Sequence, residues 1–234
     1  MKKILSSLIV FCAVAQSFSQ GTIKILYVGN SLTYYNDLPA MVEEIGKSQG
    51  ITIESTRLLN PDYAIEDHLK EGKVILELQA SHYNFVVAQQ GPSARPESQA
   101  NLLEFSQKLS VECKKNKTRM ALYMVWPSKA RSFDFESVIK SYTNAARRSS
   151  SILCPAGRAW LVAWSRDPAL PLYDKDEFHP SITGSFLAAL VIYGTLVEDT
   201  DWSVLEYDKL SIKKNMSEVQ FDLLKKSAQA TVGH

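Results

Sequence analysis

Residues Lys24–Thr33 read KILYVGNSLT and join a predicted strand to a predicted helix. Its apolar part, Ile25–Val28, predicts a short buried strand that ends at Gly29. Ser31 follows on the turn, and Leu32 with the run Tyr34–Ile45 predicts the start of a helix. A residue at such a turn lies at the carboxyl edge of a parallel sheet, where open α/β folds bind their ligands, and the helix end offers free N–H groups to a developing oxyanion. The serine is therefore either a nucleophile or an ordinary helix cap.

The composition is that of a globular domain. The chain has 234 residues, of which 45% are hydrophobic and 22% charged, and its formal net charge is +1. This length favours one domain with a single core. A charge so close to neutral gives no electrostatic footprint for nucleic acid or for an anionic membrane surface, so we expect neither as a partner.

The first twenty residues have the pattern of a secretory signal peptide. Basic Lys2 and Lys3 precede the apolar run Ile4–Ala15, which is too short to span a bilayer. Small residues follow, and we predict cleavage near Ser19 or Gln20. The mature protein is then expected to be secreted, periplasmic or extracellular. A retained N-terminal anchor helix is the alternative.

Cys113 and Cys154 remain after the predicted cleavage. An oxidising compartment permits a disulfide between them, and two free buried thiols are the equal alternative. Their spacing is not that of metal ligands.

Beyond the first stretch, apolar strands alternate with longer segments of helical periodicity. The predicted strands are residues 51–56, 83–89, 119–125 and 152–156, and the predicted helices are residues 64–71, 96–115, 135–150, 157–164, 181–196 and 217–231. This alternation predicts an α/β fold: a three-layer αβα, flavodoxin-like open sheet of about five parallel strands. We predict one domain over residues 21–234.

The second informative stretch is Leu172–Ser181, which reads LYDKDEFHPS and delivers one histidine just before an apolar helix. Asp176 lies three residues before His179, close enough for its carboxylate to accept from the imidazole N–H. Such a bond fixes the tautomer and stabilises the imidazolium that forms during catalysis. The other three histidines have settings more typical of structural roles, and they are His68, His82 and His234.

These two stretches together resemble the first and last blocks of the SGNH hydrolases, also called the GDSL-like lipase/esterase family. Gly29–Leu32 matches the first block, with Asn30 where Asp is commonest, and Asp176–His179 matches the last. The resemblance covers nearly the whole mature chain, because the strand–helix order and the block spacing agree.

The resemblance implies a secreted serine esterase that removes small acyl groups, acetyl in the first place, from carbohydrate. Ser31 would be the nucleophile, His179 the general base and then acid, and Asp176 the residue that orients the histidine. The backbone N–H of Ser31 would be one oxyanion donor. The reaction would pass through an acyl-enzyme that water releases, and no cofactor or metal is implied.

The second family block, a glycine whose N–H faces the oxyanion, has no clear match here. The corresponding loop is Asn60–Tyr63, which has no glycine. Pro61 has no N–H to donate, so Asp62 is the candidate for the second oxyanion donor.

The third family block, Gly-x-Asn-Asp, is also changed. Gly91 matches the glycine and Ser93 falls at the asparagine position. Some family branches use a glutamine at the end of this strand, which makes Gln89 or Gln90 the alternative donor. Loss of one such donor costs on the order of 10²–10³ in turnover, so this departure bears on rate more than on reaction class.

Two features of the sequence bear on the substrate class. Trp126 follows the fourth predicted strand and could stack on a sugar, although plain packing is the alternative. Secretion without an apolar lid favours an acetylated glycan over a triglyceride. The departures in the second and third blocks keep open an inactive, SGNH-like carbohydrate-binding protein. A phosphate-ester hydrolase is disfavoured because the sequence has no metal-ligand cluster and no glycine-rich phosphate loop.

Overall fold

The computed structural model describes residues 21–198 and 200–232. The predicted signal peptide, residues 1–20, lies outside the described residues. Five parallel strands form one sheet in the order β2-β1-β3-β4-β5. The strands are β1 (Ile23–Gly29), β2 (Ile53–Leu59), β3 (Phe85–Ala88), β4 (Arg119–Tyr123) and β5 (Ile152–Cys154).

Helices cover both faces of the sheet, because the central strands are apolar on both sides and must bury both. The α-helices in the described part are α1 (Ser31–Tyr34), α2 (Leu38–Ser48), α3 (Ile65–Glu71), α4 (Lys73–Ala80), α5 (Pro96–Lys115), α6 (Phe135–Ser149), α7 (Ala156–Arg166), α8 (Ile182–Leu196) and α9 (Glu218–Val232). Helices α2, α7, α8 and α9 pack together on one face, and α3, α4, α5 and α6 on the other. The predicted three-layer, flavodoxin-like architecture is therefore confirmed.

The strand order fixes where a ligand site is expected. The connection after β1 leads to one neighbour, β2, while β3 pairs with the opposite edge of β1. The carboxyl ends of β1 and β3 thus flank the point where the strand order reverses, and open α/β sheets bind ligands in the crevice at this point. Ser31 follows β1 there, and Gln89 follows β3.

The structure differs from the prediction at the first helix, which is broken. A 3-10 turn, Tyr35–Asp37, separates α1 from α2. Asn36 and Asp37 have φ angles of 55° and 52°, in the left-handed region that asparagine and aspartate tolerate better than most residues. A helix cannot continue through two such residues, so the chain turns there and restarts at Leu38.

The second strand begins two residues later than predicted, at Ile53. The N–H of Ile51 donates to the carbonyl of Gly46 at 2.9 Å, so this residue closes the end of α2 instead of pairing with β1. Three short 3-10 turns between α8 and α9, which the sequence did not predict, lie at Trp202–Val204, Tyr207–Lys209 and Ser211–Lys214.

Cys113 and Cys154 are both buried, and both are free thiols. Burial raises the pKa of each thiol to about 12. Within the described ranges, no helix combines the length and the apolar character needed to cross a bilayer.

Candidate active site

The turn after β1 presents the Ser31 hydroxyl without using it as a cap. Asn30 is the N-cap of α1: its side-chain oxygen accepts from the N–H of Leu32 at 3.1 Å. Its side-chain nitrogen donates to the carbonyl of Tyr63 at 2.9 Å. The capping role predicted as one alternative for Ser31 therefore belongs to Asn30, and the serine oxygen is left for other partners.

A chain of two hydrogen bonds joins this hydroxyl to the histidine loop. The distance from Ser31 Oγ to His179 Nε2 is 2.8 Å, and from His179 Nδ1 to Asp176 Oδ2 it is 2.5 Å. The other carboxylate oxygen of Asp176 accepts from the backbone N–H groups of Phe178 and His179 at 3.0 and 2.9 Å. One oxygen of the Asp176 carboxylate therefore holds the imidazole ring, and the other holds the backbone of the loop.

The same hydrogen bonds decide the charge of Asp176. Partial burial raises the pKa of its carboxyl, but the bonds from the His179 ring and from the two backbone N–H groups together outweigh burial and lower the pKa below the ordinary value of 3.8. A carboxylate that stays ionised can stabilise a positive charge on the imidazole.

Hydrogen bonds from the loop after β4 hold the histidine loop in place. The backbone N–H of Lys129 donates to the carbonyl of Glu177 at 2.8 Å, and the indole N–H of Trp126 donates to the carbonyl of Phe178 at 3.2 Å. Glu177 has a φ of 59°, so the loop turns in the left-handed region two residues before the histidine.

Of the two alternatives for Trp126, sugar stacking is wrong and plain packing is what the structure shows. Its side chain is 0% exposed, and its ring stacks on Trp160 with centroids 3.6 Å apart. Trp126 supports the histidine loop through its bond to Phe178, and a substrate cannot reach its ring.

Gln89, one predicted oxyanion donor, is fully buried, and its side-chain amide makes hydrogen bonds to the turn that carries Ser31. Its oxygen accepts from the N–H of Asn30 at 3.0 Å and from the hydroxyl of Thr33 at 2.8 Å. Its nitrogen donates to Asn30 Oδ1 at 2.7 Å and to the carbonyl of Gln90 at 3.0 Å. A Cβ at Gly29 would lie 2.3 Å from this amide oxygen, which explains the glycine there.

Gln90, the alternative donor, is also engaged. Its amide nitrogen donates to Ser93 Oγ at 3.0 Å and to Asn101 Oδ1 at 3.3 Å. The Ser93 hydroxyl in turn donates to the carbonyl of Gly91 at 3.0 Å. In this arrangement neither glutamine has a side-chain N–H left for an oxyanion. The predicted role of the third block as an oxyanion donor stays a prediction, and it would require one of these side chains to change its hydrogen bonds.

The second-block loop leaves one candidate donor. Asp62 is exposed and has a φ of 61°, and its backbone N–H meets no acceptor within the described ranges. The N–H of Ser31 is likewise unengaged in the described structure. His68, which we expected to be structural, is buried and places Nε2 2.8 Å from the carbonyl of Gly29. Burial lowers the pKa of His68, which favours a neutral ring that donates this bond.

A cleft of about 730 Å³ lies between the loops after β3 and β4. Ser31, His179 and Asp176 do not line it themselves, and Phe178 connects it to the histidine loop. Its walls mix small apolar residues with polar and charged side chains, and they are Ala64, Gln90, Gly91, Pro92, Ser93, Ala94, Arg95, Ser98, Asn101, Pro127, Ser128, Arg131, Asp134 and Phe178. In the described part of the chain, no three His, Cys, Asp or Glu side chains are grouped so that they could hold a metal ion.

Sequence reasoning missed Tyr35 and Asn36. The Tyr35 ring stacks on the imidazole of His179, and the amide of Asn36 reaches the carbonyl of Pro180. The sequence did contain a signal: Asn36 and Asp37 stand side by side, and both residue types tolerate the left-handed conformation that breaks the helix.

Several solved structures share the architecture of this chain at low sequence identity. A candidate SGNH hydrolase from Slackia heliotrinireducens is 23% identical with a TM-score of 0.64, and the match covers 76% of this chain and 100% of that chain. A DUF4886 family protein from Bacteroides uniformis has a TM-score of 0.74 at 16% identity, covering 91% and 95%. A mutant of an acetyl-xylooligosaccharide esterase from Geobacillus has a TM-score of 0.61 at 14% identity, covering 77% and 95%. No protein-family model matches the sequence, and no curated protein matches it.

Proposed function

We propose, on the premise that this chain has the fold of the SGNH hydrolases, that it is a serine esterase acting through a triad of Ser31, His179 and Asp176. One observation carries the proposal: the 2.8 Å contact between Ser31 Oγ and His179 Nε2, continued at 2.5 Å to Asp176. A nucleophile, a base within hydrogen-bond reach and a carboxylate that orients the base are the three parts that acyl transfer by serine requires.

The reaction follows from this geometry. His179 Nε2 accepts the hydroxyl proton while Ser31 Oγ attacks the ester carbonyl, and Asp176 stabilises the imidazolium. The imidazolium then gives its proton to the leaving alcohol, which leaves an acyl group on Ser31. His179 next removes a proton from water, and the resulting attack releases the acid and restores the serine.

The backbone N–H groups of Ser31 and Asp62 are the proposed oxyanion donors. Neither is engaged in the described structure, and they come from the turns after the adjacent strands β1 and β2. Donors that are fixed before the reaction stabilise the tetrahedral oxyanion without reorganisation.

The proposed substrate is a small acyl ester, acetyl in the first place, on a carbohydrate. Structural neighbours include an acetyl xylan esterase and an acetyl-xylooligosaccharide esterase. The cleft offers hydrogen-bonding side chains, as a sugar requires. Phe133 is 75% exposed, and its ring centre lies 5.5 Å from the guanidinium of the cleft residue Arg131. Phe133 replaces Trp126 as the candidate ring for sugar stacking. Secretion, inferred from residues 1–20, remains part of the proposal.

A second function has one observation in its favour. Gln89 and Gln90 donate their amide hydrogens to other protein groups, which leaves none for an oxyanion. A protein without this donor could bind acetylated glycans and not hydrolyse them. The two functions differ in one measurable quantity, which is Ser31-dependent turnover.

The test is hydrolysis of 4-nitrophenyl acetate by residues 21–234, beside Ser31→Ala and His179→Ala. We expect each variant to lose at least about 10⁴-fold in kcat/KM while its circular dichroism stays native. If the native protein is no faster than Ser31→Ala, the esterase proposal fails and glycan binding, measured by calorimetry on acetylated xylan, becomes the better account.

The carbohydrate part has its own test. For Phe133→Ala we expect the ratio of kcat/KM on acetylated xylo-oligosaccharide to kcat/KM on 4-nitrophenyl acetate to fall about tenfold. Val219, on α9, is 78% exposed and is the matched control, and Val219→Ala should leave the ratio as in the native protein. An unchanged ratio in Phe133→Ala would remove this residue from the proposal.

A further inference from the structure

The turn between α1 and α2, Tyr35–Asp37, contacts the histidine loop at several points. We call these three residues the clamp turn. Tyr35 follows the helix that begins with the proposed nucleophile, and its N–H donates to the carbonyl of Ser31. His179, the proposed base, lies 148 residues after Ser31 in the chain. Contacts from the clamp turn therefore join the two partners of the Ser31–His179 hydrogen bond.

Tyr35 contacts both the ring and the backbone region of the histidine loop. Its ring lies nearly parallel to the imidazole of His179, with an angle of 16° between the planes and 4.6 Å between the centroids. Its hydroxyl donates to Asp174 Oδ2 at 2.9 Å, and the N–H of Asp174 donates to the carbonyl of His179 at 2.8 Å. The hydrogen bond to Asp174 raises the pKa of the Tyr35 hydroxyl, which keeps it a donor.

Asn36 fixes the chain directly after the histidine. Its amide nitrogen donates to the carbonyl of Pro180 at 2.9 Å and to Ser185 Oγ at 3.0 Å. The first contact holds the residue that follows His179, and the second holds the first turn of α8. The histidine is thus restrained from its ring by Tyr35 and from its backbone by Asn36.

The conformation of the clamp turn is itself costly, which argues that the contacts matter. Asn36 and Asp37 both have left-handed φ angles, and consecutive residues in this region are unfavourable for L-amino acids. Asp37 anchors the turn from the other side, since its carboxylate lies 3.0 Å from the guanidinium of Arg57 on β2. Strained backbone of this kind persists where surrounding contacts over-determine it, and it is concentrated at functional sites.

We propose that Tyr35 and Asn36 are positioning residues for His179. They hold its Nε2 on the Ser31 hydroxyl, and the face of the Tyr35 ring stabilises the imidazolium that forms when the serine is deprotonated. This proposal rests on the proposed esterase function. It assigns the broken first helix a role, because an unbroken helix would carry these two side chains away from the histidine loop.

The test is the rate at which diisopropyl fluorophosphate modifies Ser31, measured by mass spectrometry. The serine oxygen forms the P–O bond, fluoride leaves, and the hydroxyl proton passes to His179 and then to solvent, so the rate reports how well the base is placed without any need to know the substrate. We expect Tyr35→Leu to slow the reaction by about tenfold and Tyr35→Phe, which keeps the ring, to recover most of the rate.

Asn36→Gly separates the side chain from the backbone. Glycine keeps the left-handed conformation at no steric cost but removes the two amide hydrogen bonds. We expect a slowing of about tenfold, since the loop that carries His179 loses one anchor. Tyr34, the neighbouring tyrosine, is 39% exposed and makes no ring stack in the described structure, so Tyr34→Leu is the matched control and should react at the native rate.

A merely structural role would lower the melting temperature and leave the folded fraction fully reactive. The positioning role predicts instead a lower kcat for 4-nitrophenyl acetate at unchanged KM. If folded Tyr35→Leu and Asn36→Gly both react at the native rate, the proposal is overturned. Should Tyr35→Leu not fold, Asn36→Gly decides the outcome: slowed labelling supports the positioning role, and the native rate overturns it. If the reagent does not label native Ser31 above the Ser31→Ala background, the esterase proposal itself fails and this one falls with it.

Discussion

The two sides of the candidate site use their polar atoms in opposite ways. On the histidine side, Asp176 is hydrogen-bonded to His179, and His179 is hydrogen-bonded to the Ser31 hydroxyl. On the amide side, at the end of β3, Gln89 and Gln90 donate every amide hydrogen to other protein groups. The first arrangement is ready for proton transfer, whereas the second is a closed network that holds the nucleophile turn. Polar residues at one site can therefore serve catalysis or hold the fold together. The partners of their hydrogen bonds show which of these two roles each residue has.

The largest effect that separates the two sides should come from Asp176→Asn. The asparagine keeps the shape but presents an amide to the imidazole, which disfavours the tautomer that can accept from Ser31. We expect kcat to fall by about 10³–10⁴ at pH 7, with little change in KM. Asp174→Asn, two residues earlier in the same loop, is the control for general loop damage, and it should fall far less. Equal losses in both variants would contradict the assignment of Asp176.

The next largest effect should come from Gln89→Ala, and it should appear in stability. The change leaves Asn30 and Thr33 with unpaired buried groups, so we expect the free energy of unfolding to fall by on the order of 3 kcal/mol, measured by urea denaturation. Gln89→Glu keeps the size but places a carboxylate oxygen against Asn30 Oδ1 and the carbonyl of Gln90, and it should also destabilise. A Gln89→Ala variant of native stability with strongly reduced turnover would mean that Gln89 acts on the substrate after all.

The smallest effect concerns the pH dependence of stability on the histidine side. The carboxyl of Asp176 has a pKa below its ordinary value of 3.8 in the folded protein, so it contributes stability above that value. This contribution is lost as the pH falls through the lowered pKa, because the unfolded state then binds the proton more readily. The side chain is 47% exposed, so the effect is small. Melting temperatures of native protein and Asp176→Asn from pH 6 to pH 2 should converge at the acid end. Parallel curves would show that folding does not shift this pKa.

The sequence predicted the fold well because its local signals agreed with its tertiary structure. Helix α5 has the predicted bounds, Pro96–Lys115, since a proline at its first position and lysines in its last turn mark both ends. The resemblance to the SGNH hydrolases is confirmed at the level of the fold. The residues Ser31, His179 and Asp176 were predicted together, and the structure places them within hydrogen-bond distance.

What the sequence could not give depends on long-range packing. A tryptophan at the end of β4 reads the same whether it faces a sugar or lies on Trp160, and the structure puts it on Trp160. Gln89 reads as a donor, but its partners come from a turn 59 residues earlier in the chain. The division into residues 1–20 and 21–234, the secretion and the glycan substrate stay predictions.

The two buried thiols, Cys113 and Cys154, are built-in probes for opening of the fold. A thiol reacts as its thiolate, and with a pKa of about 12 only on the order of 10⁻⁵ of either group is ionised at pH 7 in the folded state. Cys113 lies in α5 and Cys154 at the end of β5, so a thiol dye reaches either group only after the packing around that group has opened. When reclosing is faster than alkylation, the labelling rate of each cysteine reports the equilibrium population of the local or global opening that exposes it.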